Sequence, residues 1–397
     1  HGTAHLLEHL LTGPNSTFKT RQSIHKYEEG NSIRPALMTN AHTGYKSLSF
    51  DGYTHESGLE RFLYRIDSEL EFAENRIAKE LVNERKIVTA ERSRQPLTEK
   101  NQFLQRVIYL EGKQLKEFTY NIIGEVDQIP RISMEDLRTF FDNRILKGIP
   151  TFSIQSRNAL PKSSIETIEK MCKKYSMKTL KEIPLPTLNN NLNLGYFYDE
   201  KATGTIIELN YFEKLDNGIN YEKEAKRGIL NSMIRRAAFE ILRENMGIIY
   251  GAESFIGSWY TIGHDIKGLR FIVDNARLKE MLNKLEPFIF EDVEKFILST
   301  KGKRWLTNII STYIFPNTID YNPNLPYEVV MDYWETGTMY NHNLYTDEVQ
   351  KLTQEDLIEH LHKLQQIPPH IWIETNLPKE EIEKAVKQSG IWERYSK

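Results

Sequence analysis

His5, Glu8 and His9 stand at positions i, i+3 and i+4, and on a helix that spacing turns two imidazoles and a carboxylate to one side. Two neutral imidazoles so placed can share one divalent metal ion, and a carboxylate beside them can take a proton from a water that the ion makes acidic. These are the parts of a metallohydrolase. The order His-x-x-Glu-His inverts the commoner His-Glu-x-x-His zinc arrangement and is itself a catalytic signature. A surface helix with two unrelated His would show the same letters, so the surrounding elements must decide. Leu6, Leu7, Leu10 and Leu11 form an apolar stripe beside the three groups, and Gly13-Pro14 supplies a stop; together they predict a short, partly buried helix.

A catalytic zinc commonly has three protein ligands, so a second rigid element must bring another donor. Residues 74–91 contain neither Gly nor Pro, and Pro96 follows, which predicts one long helix. Glu84 and Glu80 precede Glu91 by 7 and 11 residues, so the three carboxylates share a face at about 3.6 residues per turn. Without the upstream His pair, such a stripe reads as a solvated acidic face.

The run Gly2-Thr3-Ala4-His5-Leu6-Leu7-Glu8-His9-Leu10 resembles the active-site helix of the pitrilysin or insulinase family of inverted-motif zinc metallopeptidases. The chain is similar to the half-length branch of that family, which includes the mitochondrial processing peptidases. The resemblance implies a zinc cofactor held by His5 and His9, with Glu8 as the general base that activates water and then protonates the leaving amine. In the family a Glu-x6-Glu pair follows on a helix, its second member a ligand and its first a support behind the site. Carried over, Glu91 is the third zinc ligand and Glu84 the supporting carboxylate, with Glu80 a competitor for that supporting place. The 82 residues from His9 to Glu91 slightly exceed the usual spacing, which places extra residues in the loop around Gly30 to Arg34.

Thr39-Asn40-Ala41-His42-Thr43 resembles the family's Asn-Ala-x-Thr segment and, with the alternating Tyr45 to Phe50, reads as a strand of two-sided character. The resemblance makes this an edge strand beside the zinc, where Asn40, Ala41 and His42 bind an extended peptide through unpaired backbone groups. His42 stands where relatives commonly carry an aromatic, a departure that bears on the adjoining side-chain pocket. Far downstream, Ile229, Leu230, Met233, Ile234, Ala237, Ala238, Ile241 and Leu242 repeat with a helical period. Gly247 supplies a left-handed stop, and a strand then begins with Tyr250. In the family an Arg and a Tyr seven residues apart reach the substrate. Arg243 and Tyr250 inherit that role, donating to peptide carbonyls, with the Tyr helping to stabilise the tetrahedral oxyanion. On their own an Arg near a helix C-terminus and a Tyr in a strand are ordinary.

The chain also carries a degenerate duplication. Ile132-Ser133-Met134-Glu135-Asp136-Leu137 is echoed by Leu352-Thr353-Gln354-Glu355-Asp356-Leu357, each a Ser or Thr cap with an acidic residue three positions on. A helix, an apolar strand and a Leu-Pro-Lys turn follow each: Thr151 to Ile154 with Leu160-Pro161-Lys162, and His370 to Ile373 with Leu377-Pro378-Lys379. The offsets are 220 and 217 residues. The Pro- and Asn-rich stretch from Ile183 to Asn191 reads as a linker. We therefore expect a zinc-binding catalytic domain over 1–185 and a homologous domain over 190–397 carrying Arg243 and Tyr250. The resemblance implies the fold class α/β (α+β), each domain a mainly antiparallel sheet covered by helices. Only the first half has a His pair at helical spacing; His360 and His362 point to different sides and read as surface residues.

Composition excludes other classes. The net charge of −3, with interspersed signs, offers no basic field for nucleic acid, and no apolar run approaches the roughly 18 residues of a membrane span. There is no Gly-rich phosphate loop and no Ser or Cys nucleophile constellation. The single Cys172 excludes an internal disulfide and reads as a small buried side chain on a helix from Ile165 to Tyr175. The chain opens on His1 without an initiator Met, whereas relatives have several strands before this point, so the natural N-terminus is expected upstream; the compartment expected is the cytoplasm. By the resemblance the chain pairs as a homodimer, or as a heterodimer with a related subunit. The pair closes a clamshell chamber in which Arg243 and Tyr250 complete the partner's site. The expected activity is zinc-dependent hydrolysis of short unstructured peptides, leaders or presequences. The rival reading is a non-catalytic or weakly active peptide-binding subunit, a class that normally lacks a zinc ligand or the Glu base.

Overall fold

The computed structural model describes residues 2–44, 47–94, 103, 121–175, 191–214, 218–259, 264–314 and 341–396. Two compact units divide them: Phe103 with the residues from 191 onward forms the C-terminal unit, and the rest form the N-terminal unit. Residues 183–190 of the expected linker, Pro96, Tyr45 and Lys46 lie outside the described residues. No helix among the described residues is long and apolar enough to cross a membrane.

The N-terminal unit opens with helix α1, Thr3–Leu11. Its four leucines are all nearly inaccessible, and Thr12 closes it by donating its hydroxyl to the carbonyls of Glu8 and His9. Helix α2, Arg21–Glu28, begins at a reciprocal cap in which the Thr20 and Ser23 side chains each accept the other's backbone N–H. Strands β1, Leu37–Thr43, and β2, Leu48–Thr54, pair antiparallel. The single strand expected over 39–50 is thus a hairpin, because Gly44 turns the chain with its N–H donating to the Ser47 carbonyl. Helices α3, Leu59–Glu69, and α4, Glu74–Arg94, follow. The buried side of α4 reads Ile77, Leu81, Glu84, Val88, Arg92, so two charged residues sit inside an otherwise apolar stripe. Its apolar members join the α1 leucines, Ile123, Ile129, Ile132, Leu137 and Phe141 in one core. Helices α5, Met134–Phe140, and α6, Lys162–Cys172, complete the unit. Cys172 is half-buried rather than enclosed.

The C-terminal unit is built on a five-stranded sheet. It contains β3, Asn193–Tyr198; β4, Thr205–Lys214; β5, Ile249–Trp259; β6, His264–Val273; and β7, His370–Thr375. The strands stand in the order β3-β7-β4-β6-β5, and among the described strands only the β3/β7 pair is parallel. Helix α7, Tyr221–Ala238, continues in a wider π-type turn over Phe239–Asn245 and ends at Gly247, whose φ of 61° is the left-handed stop. Helices α8, Leu278–Pro287; α9, Val293–Leu298; α10, Thr300–Ile314; α11, His342–Lys351; α12, Gln354–Leu364; α13, Lys379–Lys387; and α14, Gly390–Tyr395 follow. The core gathers Ile207, Leu209, Leu269, Phe271 and Ile371 from the sheet with Ile229, Met233, Leu282 and Leu361 from the helices. His360 is buried at 5 % exposure, contrary to the surface position expected; His362 is exposed and pairs with Glu294 at 3.0 Å.

The echo seen in the sequence has a structural counterpart. Ser133 and Asp136 form a reciprocal cap, as do Thr353 and Asp356, and Pro161 and Pro378 each precede the first turn of a helix. Short 3-10 turns at Glu56–Gly58 and Asn275–Arg277 lead into α3 and α8, each capped by a side chain that accepts the N–H two residues on. Thr151 to Ile154 is not a strand. Its counterpart β7 lies between β3 and β4, whereas no described strand of the N-terminal unit pairs with 151–154.

Candidate metal centre

Helix α1 and helix α4 bring the acidic and imidazole groups together. Glu91 Oε2 lies 3.2 Å from His5 Nε2 and 3.4 Å from His9 Nε2. The two rings meet edge-on, their centroids 4.7 Å apart. Glu8 Oε2 lies 3.4 Å from His5 Nδ1 and accepts the Thr43 hydroxyl at 2.5 Å. Donor atoms of His5, Glu8 and His9 all fall within 4.8 Å of one another. On the far side of His9, Nδ1 faces Glu84 Oε2 at 3.3 Å, and the other oxygen of Glu84 pairs with Arg21. Glu84 is 1 % exposed. With Glu84 ionised, this contact calls for a proton on Nδ1, the tautomer in which His9 could ligate a metal ion through Nε2.

These donors fit a divalent zinc ion. Zinc takes imidazole nitrogen and carboxylate oxygen at about 2.0–2.2 Å, so donors around a tetrahedral ion stand roughly 3.3 Å apart. The two Glu91 contacts match that edge. Three carboxylates and one guanidinium leave a formal charge of −2 around neutral imidazoles, which favours a cation. Burial would push His5 down, but hydrogen bonds and charge from Glu8 and Glu91 outweigh it and raise His5 above the ordinary range. Glu8 is driven up by burial, yet His5 and the Thr43 hydroxyl bring it below the usual carboxylate range.

The frame around the cluster is tight. Gly2 caps α1 with φ of 81°, and a β-carbon there would meet the Ile123 carbonyl oxygen at 2.5 Å. Arg92, one residue beyond Glu91, donates from Nε to the Gly124 carbonyl at 3.0 Å and pairs with Glu125 at 3.2 Å. The α1 start is therefore held against a turn that α4 itself anchors.

Of the expected site residues, His5, Glu8, His9, Glu84 and Glu91 are brought together. Glu80 makes no hydrogen bond or ion pair with the cluster among the described residues. Asn40 and His42 lie on the exposed face of β1, where Asn40 Nδ2 is 3.2 Å from His42 Nε2 and that nitrogen is 3.3 Å from Asp51. Ala41 and Thr43 alternate to the other face. Among the described residues β1 pairs only with β2. Arg243 and Tyr250 belong to the C-terminal unit and have partners there. Arg243 lies over the Phe239 ring at 4.9 Å, and the exposed Tyr250 donates to Asp274 Oδ2 at 3.1 Å. Sequence reasoning missed Thr43 as the donor to Glu8, although it closes the quoted Asn-Ala-x-Thr segment. It also missed Arg21, whose partner is 63 residues away and leaves no local signal.

No family profile and no curated protein sequence matches the chain. Solved structures do. The first half of the periplasmic protease PqqL from Escherichia coli superposes with a TM-score of 0.70 at 15 % identity, covering 100 % of this chain and 87 % of that one. Pitrilysin gives 0.64 at 11 % identity over 94 % of this chain and 40 % of its own. A peptidase M16 inactive domain from Pseudomonas fluorescens gives 0.65 at 14 % identity over 95 % and 88 %. The chain spans 45 % of the whole PqqL chain. The fold is therefore the two-unit α/β architecture found in halves of pitrilysin-type peptidases.

Proposed function

We propose that this chain is a zinc-dependent endopeptidase that hydrolyses short unstructured peptides, including leader or presequence segments. The observation that carries the reading is the single Glu91 oxygen placed 3.2 and 3.4 Å from the Nε2 atoms of His5 and His9, with the Glu8 carboxylate alongside. His5, His9 and Glu91 would hold the ion, which when bound polarises a peptide carbonyl and makes water acidic. Glu8 accepts the water's proton at Oε2 and returns it to the leaving amine. Thr43 steadies that oxygen through its hydroxyl. An extended peptide adds along β1 beside Asn40, Ala41 and His42, so the backbone supplies the affinity. In the same reading Arg243 and Tyr250 from a second copy, or from a related subunit, meet the substrate carbonyls.

The fold also occurs in a domain described as inactive, so fold alone does not decide between an enzyme and a peptide-binding subunit. The intact set of His5, Glu8, His9 and Glu91 favours the enzyme. The test is mass spectrometry of an unstructured peptide mixture incubated with zinc-loaded protein, beside a Glu8→Gln variant. Cleavage by the wild type alone is expected. If neither protein cuts while zinc is bound, the endopeptidase reading is lost and the binding-subunit reading takes its place.

A further inference from the structure

We infer that Arg21 is a positioning residue of the metal centre, acting through Glu84 to fix the ring of His9. The inference rests on the reading of His5, His9 and Glu91 as zinc ligands. Arg21 is the first residue of α2, and the reciprocal Thr20–Ser23 cap sets where that helix begins. Its guanidinium pairs with Glu84 Oε1 while Glu84 Oε2 meets His9 Nδ1 at 3.3 Å, so each carboxylate oxygen has one partner. Held by the imidazole alone, the carboxylate could turn about its last torsion and swing the Nδ1–H contact away. With Arg21 on the other oxygen the carboxylate plane is set, and with it the direction of His9 Nε2.

The guanidinium runs beside the end of α1, at an ordinary van der Waals distance of 3.7 Å from where a β-carbon on Gly13 would stand. Element α2 is thus placed, by its cap, where its first side chain reaches the carboxylate behind His9. Arg21 is 48 % exposed at its side chain, so its replacement leaves the apolar core untouched.

The experiment measures zinc affinity by competition with a chromophoric chelator for the wild type, Arg21→Met, Arg21→Lys, Glu84→Gln and the Arg21→Met/Glu84→Gln double variant. Loss of a carboxylate–histidine support typically weakens metal binding about 10- to 100-fold, and that loss is expected for Arg21→Met. Arg21→Lys should recover part of it, since an ammonium keeps the charge without the fork. The double variant should bind no more weakly than Glu84→Gln alone, because both changes act on one contact. Wild-type affinity in folded Arg21→Met, or losses that multiply in the double variant, would overturn the inference. If Arg21→Met fails to fold by circular dichroism, Arg21→Lys decides: a several-fold loss is expected, and wild-type affinity overturns it. A wild-type protein that takes up no zinc removes the site reading itself, a different result from a wild type that binds zinc and an Arg21→Met that binds it equally well.

Discussion

A carboxylate with 7 % of its surface exposed ordinarily rises in pKa, yet Glu8 lies below the usual range because His5 and Thr43 stabilise its charge. The ionised form is the one a general base needs. Replacing Glu8 by Gln keeps the size and removes the basicity, so peptide turnover should fall about 10²- to 10⁴-fold with zinc content unchanged by atomic absorption. Thr43→Val removes the hydroxyl that meets the same oxygen. Misplacing a reacting group by about 1 Å can cost about 10²-fold, so turnover should drop at least about tenfold if the hydroxyl positions that oxygen, and Thr43→Ser should restore most of it. Equal turnover in Thr43→Val and the wild type would show that the hydroxyl does not steady the base. The His-x-x-Glu-His spacing was enough to nominate Glu8, because a helix carries its own geometry in sequence. Nothing local announced that a strand residue 35 positions away would supply the second contact.

At the scale of elements, the site depends on how α1 is seated against α4. Gly2 has a φ that β-carbon-bearing residues rarely adopt, and it abuts the Ile123 carbonyl. Gly2→Ala should therefore cost about 1–3 kcal/mol of stability and weaken zinc binding, since the helix start must shift away from the turn that Arg92 holds. Urea unfolding with an unchanged m-value would register the first effect; a stability equal to wild type would mean the contact is not tight. Capping signals were legible here because their chemistry is local: Ser133–Asp136 and Thr353–Asp356 form the same reciprocal pair. The hairpin at Gly44 and the absence of a strand at Thr151 to Ile154 were not legible. Whether an apolar extended segment joins a ladder depends on neighbours from distant sequence.

At the scale of the whole molecule, the C-terminal unit contains two buried neutral imidazoles. Burial pushes His360 down to about 3, with Lys267 adding to the effect, and pushes His370 down to about 4. Asn193 Nδ2 lies 3.2 Å from His370 Nδ1, and an amide donor there requires an unprotonated nitrogen. Both values lie below the ordinary 6.5, so the unfolded chain binds more protons than the folded one in the acid range. Stability from these residues is complete above pH 6.5 and is lost as pH falls toward 4 and 3, at about 1.4 kcal/mol per pH unit for each. A His370→Gln variant should lose roughly 2 kcal/mol less than wild type between about pH 7 and pH 5, measured by urea unfolding at both values. Identical losses would show that His370 is not held neutral. His360 was read as a surface residue because it and His362 point to different sides, although it lies on the stripe of Leu357, Leu361 and Leu364.

Periodicity by itself indicated the α1 and α4 helices and set His5, Glu8 and His9 on one face, because these depend on residues within a turn or two of one another. The resemblance to a metallopeptidase family, rather than periodicity, supplied the α/β architecture and the choice of Glu91 as the third donor. Only the tertiary structure decided that one Glu91 oxygen faces both imidazoles, that Arg21 rather than solvent meets the buried Glu84, and that Thr43 reaches Glu8. Those contacts join residues 35 to 86 positions apart, and their geometry is set by how helices and strands pack around a common core, which no local pattern encodes.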